Sequence, residues 1–290
     1  MQRHGPSAQV LVGFVVLVVL VGTNLVAIRY SNRELPPFWN AGFRFALAAA
    51  LFAVLVAARR TGRPTPQQLF GGAAYGVFAF AGFFAFVYLG LVRAPAAIGQ
   101  TVLALNPLVT MFLAAGLGME RIRPRAVVGA LISLAGIAVA FSAAAAIAVP
   151  LTSLLAFLVA TTSFASGAII ARRLRGAEPV TQNLLATSVG AVILLTISAS
   201  LGERWILPAD AGTWLAFLYL VVPGTIAVFL LLLWLLRNWT ATAVSYQFVL
   251  APIVSVTLAA TLLGEPVGPS VVVGAALVVG GVYVGALTGS

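Results

Sequence analysis

The stretch VLVGFVVLVVLVGTNLVAI, residues 10–28, decides the fold. It carries no charge, and Val15-Val16-Leu17-Val18-Val19-Leu20 is apolar at every position, without the alternation a membrane-barrel strand requires. A hydrocarbon core of about 30 Å is crossed by about 20 helical residues. The stretch therefore reads as a transmembrane helix, too long for the core of a cleavable signal. Nine similar stretches follow, separated by arginine, proline or polar breaks. The expected spans are 10–30, 36–58, 67–91, 95–118, 124–143, 151–171, 181–201, 212–236, 240–263 and 268–287. The expected fold class is all-α and integral to the membrane, with ten transmembrane helices.

Composition agrees. Hydrophobic residues make up 62% of the 290 positions and charged residues 8%, against roughly 45–50% and about 25% in soluble domains. So few charges cannot cover a soluble surface. The net charge of +10 comes from arginine, since there is no lysine. The arginines sit in short clusters between apolar runs, which is where topology signals lie, so no nucleic-acid partner is expected. With no cysteine there are no disulfides and no thiolate chemistry.

Ten spans put both termini on one side. With the N-terminus inside, eleven arginines face inward (Arg3, Arg59, Arg60, Arg63, Arg121, Arg123, Arg125, Arg172, Arg173, Arg175 and Arg237). Four face outward: Arg29, Arg33, Arg93 and Arg204. That bias places both termini in the cytoplasm of a plasma (inner) membrane protein.

The two halves of the chain can be superposed. Pro107 pairs with Pro252, Glu120 with Glu265, Pro124 with Pro269, Gly129 with Gly274, Gly136 with Gly281 and Gly22 with Gly167, each pair 145 residues apart. The expected domains are two five-helix repeats, 1–145 and 146–290. Five is odd, so the copies must lie in opposite orientations, the inverted-repeat plan of secondary transporters with a site near the midplane.

Asn106-Pro107 through Gly118-Met119-Glu120, and Ala251-Pro252 through Gly264-Glu265-Pro266, each precede a glycine-rich last helix. Together with Phe43-Arg44-Phe45-Ala46-Leu47-Ala48-Ala49-Ala50 in the second span, they resemble an EamA-type member of the drug/metabolite transporter superfamily. The narrower likeness is to the YddG-type amino-acid exporters. The resemblance implies a basket of helices around a central cavity lined by the first, third, fourth, sixth, eighth and ninth helices. The fifth and tenth would pack at the edge, as a scaffold or homodimer contact. It also implies a secondary carrier that exports small organic metabolites, above all amino acids, by alternating access. A drug or nucleotide-sugar carrier is the alternative within the superfamily, and a membrane enzyme or receptor the alternative outside it.

The acidic residues Glu34, Glu120, Glu178, Glu203, Asp210 and Glu265 all fall in loops or at span ends, and His4 is terminal. Proton relays in membranes use carboxylates or histidines within spans. Neither a proton relay, a metal, a cofactor nor a catalytic constellation is expected, and without lysine there is no phosphate-binding loop.

Neutral polar residues within spans are the better signal. The expected substrate-binding set is Asn24, Gln100, Asn106, Thr162, Ser163, Ser166, Tyr246 and Gln247, joined by Tyr75 and Phe78. Tyr75, Phe78 and Gly82 share one face of an ideal helix. The alternative for each hydroxyl is a bond to its own backbone. Pro107, Pro252 and Pro223-Gly224 interrupt spans and are candidate hinges or tolerated kinks. Glu120 and Glu265 are candidate gate contacts, or caps for the helices that start at Pro124 and Pro269. Arg44 lies within a span, where a charge costs roughly 2.5–3.5 kcal/mol. It is either a substrate-carboxylate ligand or a structural group holding backbone carbonyls.

Overall fold

The computed structural model describes residues 7–60, 64–118, 124–146, 149–173, 178–238, 244, 247–264 and 268–284, and no strand occurs among them. The first helix, α1, is Ala8–Ser31, started by the Ser7 hydroxyl, which accepts from the Val10 amide. α2 is Pro37–Arg59 and begins on a proline, whose missing N–H is harmless in a first turn. α3 is Pro66–Arg93, started by a capping box of Thr65 and Gln68 and containing a π-helical segment, Gly76–Gly82. α4 consists of two half-helices, Ala96–Leu103 and Asn106–Gly116. α5 is Pro124–Ala146, α6 is Leu151–Arg173 and α7 is Pro179–Ser200. α8 runs as Ala211–Val221, a second π segment Val222–Ala227, and Val228–Asn238. α9 is Gln247–Leu263 and α10 is Pro269–Val282.

Seven of these, α1–α4 and α6–α8, are long and apolar enough to cross a bilayer. α5, α9 and α10 contribute shorter apolar stretches, Val127–Val139, Gln247–Leu263 and Pro269–Gly281.

The helices pack in a pattern that survives a shift of five. α1 packs on α9 and α8, and α6 packs on α4 and α3. α2 packs along α7, and α5 along α10. The two π segments also correspond. Glycine allows the closest of these approaches. A Cβ on Gly42 would lie 2.8 Å from the Leu195 side chain, and one on Gly136 would lie 2.7 Å from the Gly274 carbonyl oxygen. Small residues give such interfaces their contact area where no hydrophobic effect separates protein from lipid. Gly281 faces Gly129 and Ser133 of the same chain, so its close packing is internal.

The halves differ in one respect. α4 breaks at Ala104-Leu105, and Asn106-Pro107 opens a new half-helix, in whose first turn proline's missing N–H is harmless. α9 runs through Pro252 without a break from Gln247 to Leu263.

At one end of the bundle α1, α3, α7 and α9 stop, and α2 and α8 begin. Arg29 Nη1 donates to the carbonyls of Leu91 and Val92, both at 2.7 Å, and Arg33 reaches the Leu263 carbonyl at 3.5 Å. Cations suit these helix C-termini, where the dipole is negative. The Glu203 carboxylate accepts from the amides of Phe38 (3.2 Å) and Trp39 (2.7 Å), at the positive start of α2. Asp210 caps α8 through the Thr213 amide, and Glu34 accepts from the amides of Ala209 and Asp210. At the opposite end Glu178 caps α7 through the Thr181 amide. All four carboxylates among the described residues therefore serve helix starts. Trp39 is the centre of a stack. Its ring lies 4.8 Å from Trp205 and 4.9 Å from Phe43, and its Nε1 donates to the Ile206 carbonyl.

Candidate functional site

A run of aromatic rings crosses the interior. Phe45 of α2 meets Phe80 and Phe84 of α3 edge-on. Phe84 meets Phe83, Phe83 meets Phe164 of α6, and Phe164 meets Phe248 of α9. Phe80 also contacts Tyr75 and Phe229 of α8. Five helices thus supply one continuous apolar surface, and edge-to-face geometry is what ring quadrupoles prefer.

Around this run lie buried neutral polar groups. Gln100 and Thr101 are 1% exposed, Gln247 4%, Asn106 5% and Asn24 7%. Asn106 Nδ2 donates to the Thr161 carbonyl at 3.3 Å, joining α4 to α6 across the α4 break. Asn24 Nδ2 donates to the Gly224 carbonyl at 3.1 Å. Asn24 Oδ1, Gln100 Oε1 and Ser255 Oγ are buried without a hydrogen-bond partner. An amide needs several partners, and a buried orphan is costly. These groups sit on α1, α4 and α9, three helices that pack on one another. Ser255 was not expected from the sequence, although it follows Thr110, another hydroxyl, by 145 residues.

Arg44 is fully buried, and its partners are uncharged. Nε donates to Thr225 Oγ1 (2.8 Å), Nη2 to the Gly224 carbonyl (2.9 Å) and Nη1 to the Tyr88 hydroxyl (3.3 Å). Its guanidinium lies over Phe84 at 4.8 Å and Phe45 at 5.1 Å. The rings and dipoles offset the desolvation of the charge. Of the two readings of Arg44, the geometry matches the structural one.

Several expected residues do not join this set. Tyr75 and Phe78 do not share a face: Tyr75 is buried against Phe80, while Phe78 is 41% exposed. The π segment between them widens the turn, so the face read from a 3.6-residue period is rotated away. Phe78 lines a groove of about 290 Å³ between α3 and α6, together with Thr162, Ser163 and Ser166. This groove opens on the exposed side of α6. Thr162 donates to the Leu158 carbonyl and Ser166 to the Thr162 carbonyl, so both hydroxyls are satisfied within their own helix. Ser163 lies against the π segment, where a Cβ on Gly82 would come within 3.0 Å of its oxygen. Pro223 and Gly224 occupy the second π segment, and Pro107 and Pro252 are buried in α4 and α9. Tyr246, Glu120 and Glu265 lie outside the described residues.

Comparison with known proteins gives one family. The EamA-like transporter family matches the chain twice, over residues 9–142 and 151–286. A Salmonella typhimurium protein named "Probable amino-acid metabolite efflux pump" is 29% identical over 286 residues, covering 94% of this chain and 93% of its own. The inner membrane transporter YedA of Escherichia coli is 28% identical, covering 86% of this chain and 81% of its own. The aromatic amino acid exporter YddG of Ancylobacter novellus is 31% identical over 139 residues, 48% of each chain. A solved crystal structure superposes with a TM-score of 0.68 at 24% identity, covering 98% of this chain and 99% of the other, a likeness of fold.

Proposed function

The chain belongs to the EamA-like transporter family, and on that premise we propose that it is a secondary carrier exporting amino acids, including aromatic and apolar ones, by alternating access. It is an integral multi-pass membrane protein and a transporter, not an enzyme. In our reading two inverted repeats, 1–145 and 146–290, form ten spans around a basket-shaped centre, with both termini cytoplasmic. The helix packing that recurs under a shift of five supports that reading. The exposed Leu131 and Leu134 side of α5 is the face on which a second copy would dock.

The observation that carries the substrate class is the pairing of unbonded amide oxygens with an aromatic wall. Asn24 Oδ1 and Gln100 Oε1 are acceptors without donors. An α-ammonium group is a donor of the right kind, and Phe83, Phe164 and Phe248 offer faces to an apolar side chain. Net anions such as nucleotide sugars call for free cations, and the buried guanidinium of Arg44 is already engaged. Gln247 of α9 and Asn106 at the α4 break complete the proposed site. Uptake of a labelled amino-acid panel, with a nucleotide sugar as control, into proteoliposomes tests this. Phenylalanine and other neutral amino acids should compete with one another, and the nucleotide sugar should not.

A further inference from the structure

We propose that Arg44 and Asn24 fix the Gly224 segment of α8 as the pivot of the transport motion. Arg44 is then a positioning residue and not a ligand of the substrate. This rests on the carrier reading above.

The Gly224 carbonyl receives two donors from the first half of the chain, Arg44 Nη2 at 2.9 Å and Asn24 Nδ2 at 3.1 Å. The adjacent Thr225 Oγ1 accepts from Arg44 Nε at 2.8 Å and donates to the Leu220 carbonyl at 2.8 Å. Tyr88 of α3 takes a further guanidinium N–H. Two helices of the first half thus bond one π segment of the second, and a third, α3, braces the arginine that does so. A Cβ on Gly224 would fall on Asn24 Oδ1, so a side chain there would displace the Asn24 amide from the clamp.

Among the described residues the matching π segment has no such clamp. Counting 145 residues on, Arg44 corresponds to Val189 and Asn24 to Ile169. A Cβ on Gly76 would meet Ala186 and Val189, so this segment packs tightly on α7. Two rocking halves need contacts that hold and contacts that give. A guanidinium in a dry interior holds, because leaving its acceptors would strand a buried charge. The contact between the halves at the bundle end is of the other kind: water can replace the Leu263 carbonyl, 3.5 Å away, at the exposed head of Arg33. The clamped π segment is therefore the fixed point, the other π segment is the bending element, and the Arg33–Leu263 contact at the end is the latch.

The test uses the full chain, whose lack of cysteine permits clean labelling. Spin labels on Leu51→Cys and Val222→Cys report across the clamp, and labels on Val92→Cys and Leu262→Cys report across the latch end. The clamp pair should keep one distance with and without phenylalanine, while the latch pair changes. Arg44→Lys should lower the maximal rate of phenylalanine transport about tenfold, with apparent KM within about twofold. It should also broaden the clamp distance. Tyr88→Phe, which leaves the ring in place, should lower the rate less and in the same direction. A rise in apparent KM at unchanged rate in Arg44→Lys would make Arg44 a substrate ligand and overturn the proposal. A clamp pair that moves as far as the latch pair overturns the pivot alone. A latch pair that never moves removes the carrier reading and the pivot with it.

Discussion

Ser133 and Val278, 145 residues apart in the chain, meet across the α5–α10 interface, where the serine hydroxyl donates to the valine carbonyl at 3.3 Å. The glycines around them exchange partners in the same way. Gly136 abuts Gly274, and Gly281 abuts Gly129, so matched residues make matched contacts. This is the reciprocity of a two-fold interface, realised within one chain.

It predicts equal sensitivity on the two sides. Gly136→Ala and Gly281→Ala should each lower stability by about 1–3 kcal/mol, the usual cost of overpacking. Gly280→Ala, one residue away and open to space, should be neutral or slightly stabilising. Thermal unfolding in detergent measures all three. A harmless Gly136→Ala would show that the helices are less close than the structure has them.

Topology gives a second prediction. An impermeant thiol reagent added outside should label single cysteines at Ser270 and Ala146, and should not label those at Arg123 or Gly176. The reverse pattern would overturn both the cytoplasmic termini and the inverted repeat.

The substrate site gives a third. Gln100→Ala and Gln247→Ala should raise apparent KM by roughly tenfold, the value of one good hydrogen bond at about 1.4 kcal/mol. Thr162→Ala and Ser166→Ala should leave it unchanged, because both hydroxyls serve their own backbone. Transport kinetics of phenylalanine in proteoliposomes decides. Equal losses at all four positions would move the site into the α3–α6 groove.

What the sequence made legible, and what it hid, follows from the solvent. Hydropathy finds spans because lipid rewards every apolar residue, so the apolar run at Val15–Leu20 is unmistakable. The same reward blurs faces: lipid and protein interior are equally apolar, and α6 shows outside hydroxyls such as Thr162 beside inside ones such as Thr161. The repeat was readable from Pro107/Pro252 and Gly136/Gly281, because backbone constraints fix residue types. The second π segment was marked by Pro223-Gly224, and the first had no marker. Gly-Val-Phe-Ala-Phe-Ala-Gly over 76–82 reads as ordinary helix, and the wider turn turned Phe78 outward. The role of Arg44 depended on Gly224 and Thr225, 180 and 181 residues away.

The end of the bundle carries a pH prediction. Glu34 is held below the ordinary carboxylate range, chiefly by the Ala209 amide and then by the Thr213 hydroxyl and the Asp210 amide, against opposition from the Asp210 charge. A depressed folded value means that the contact stabilises above the unfolded pKa and is lost as pH falls through the folded one. The wild type should therefore melt slightly above Glu34→Gln at neutral pH, and the gap should close only in strong acid. A gap that widens with acidification would reverse the assigned sign. Because the group is exposed, the difference should be small and shrink with salt.

The last prediction concerns energy. Among the described residues every carboxylate serves a helix start at an end of the bundle, and the interior holds amides, hydroxyls, aromatic rings and Arg44. A proton-coupled carrier needs an interior group that changes charge near working pH. Amides and hydroxyls carry no such group, and an arginine guanidinium keeps its charge in proteins. Among the described residues the interior thus offers nothing to carry a proton with the substrate, and the solute should move down its own gradient. In proteoliposomes loaded with labelled phenylalanine, efflux should proceed without a pH gradient and respond little to an imposed one of either sign. Accumulation against the phenylalanine gradient, driven by pH alone and abolished by a protonophore, would defeat this. Glu120 and Glu265, outside the described residues, would then be the first positions to replace by glutamine.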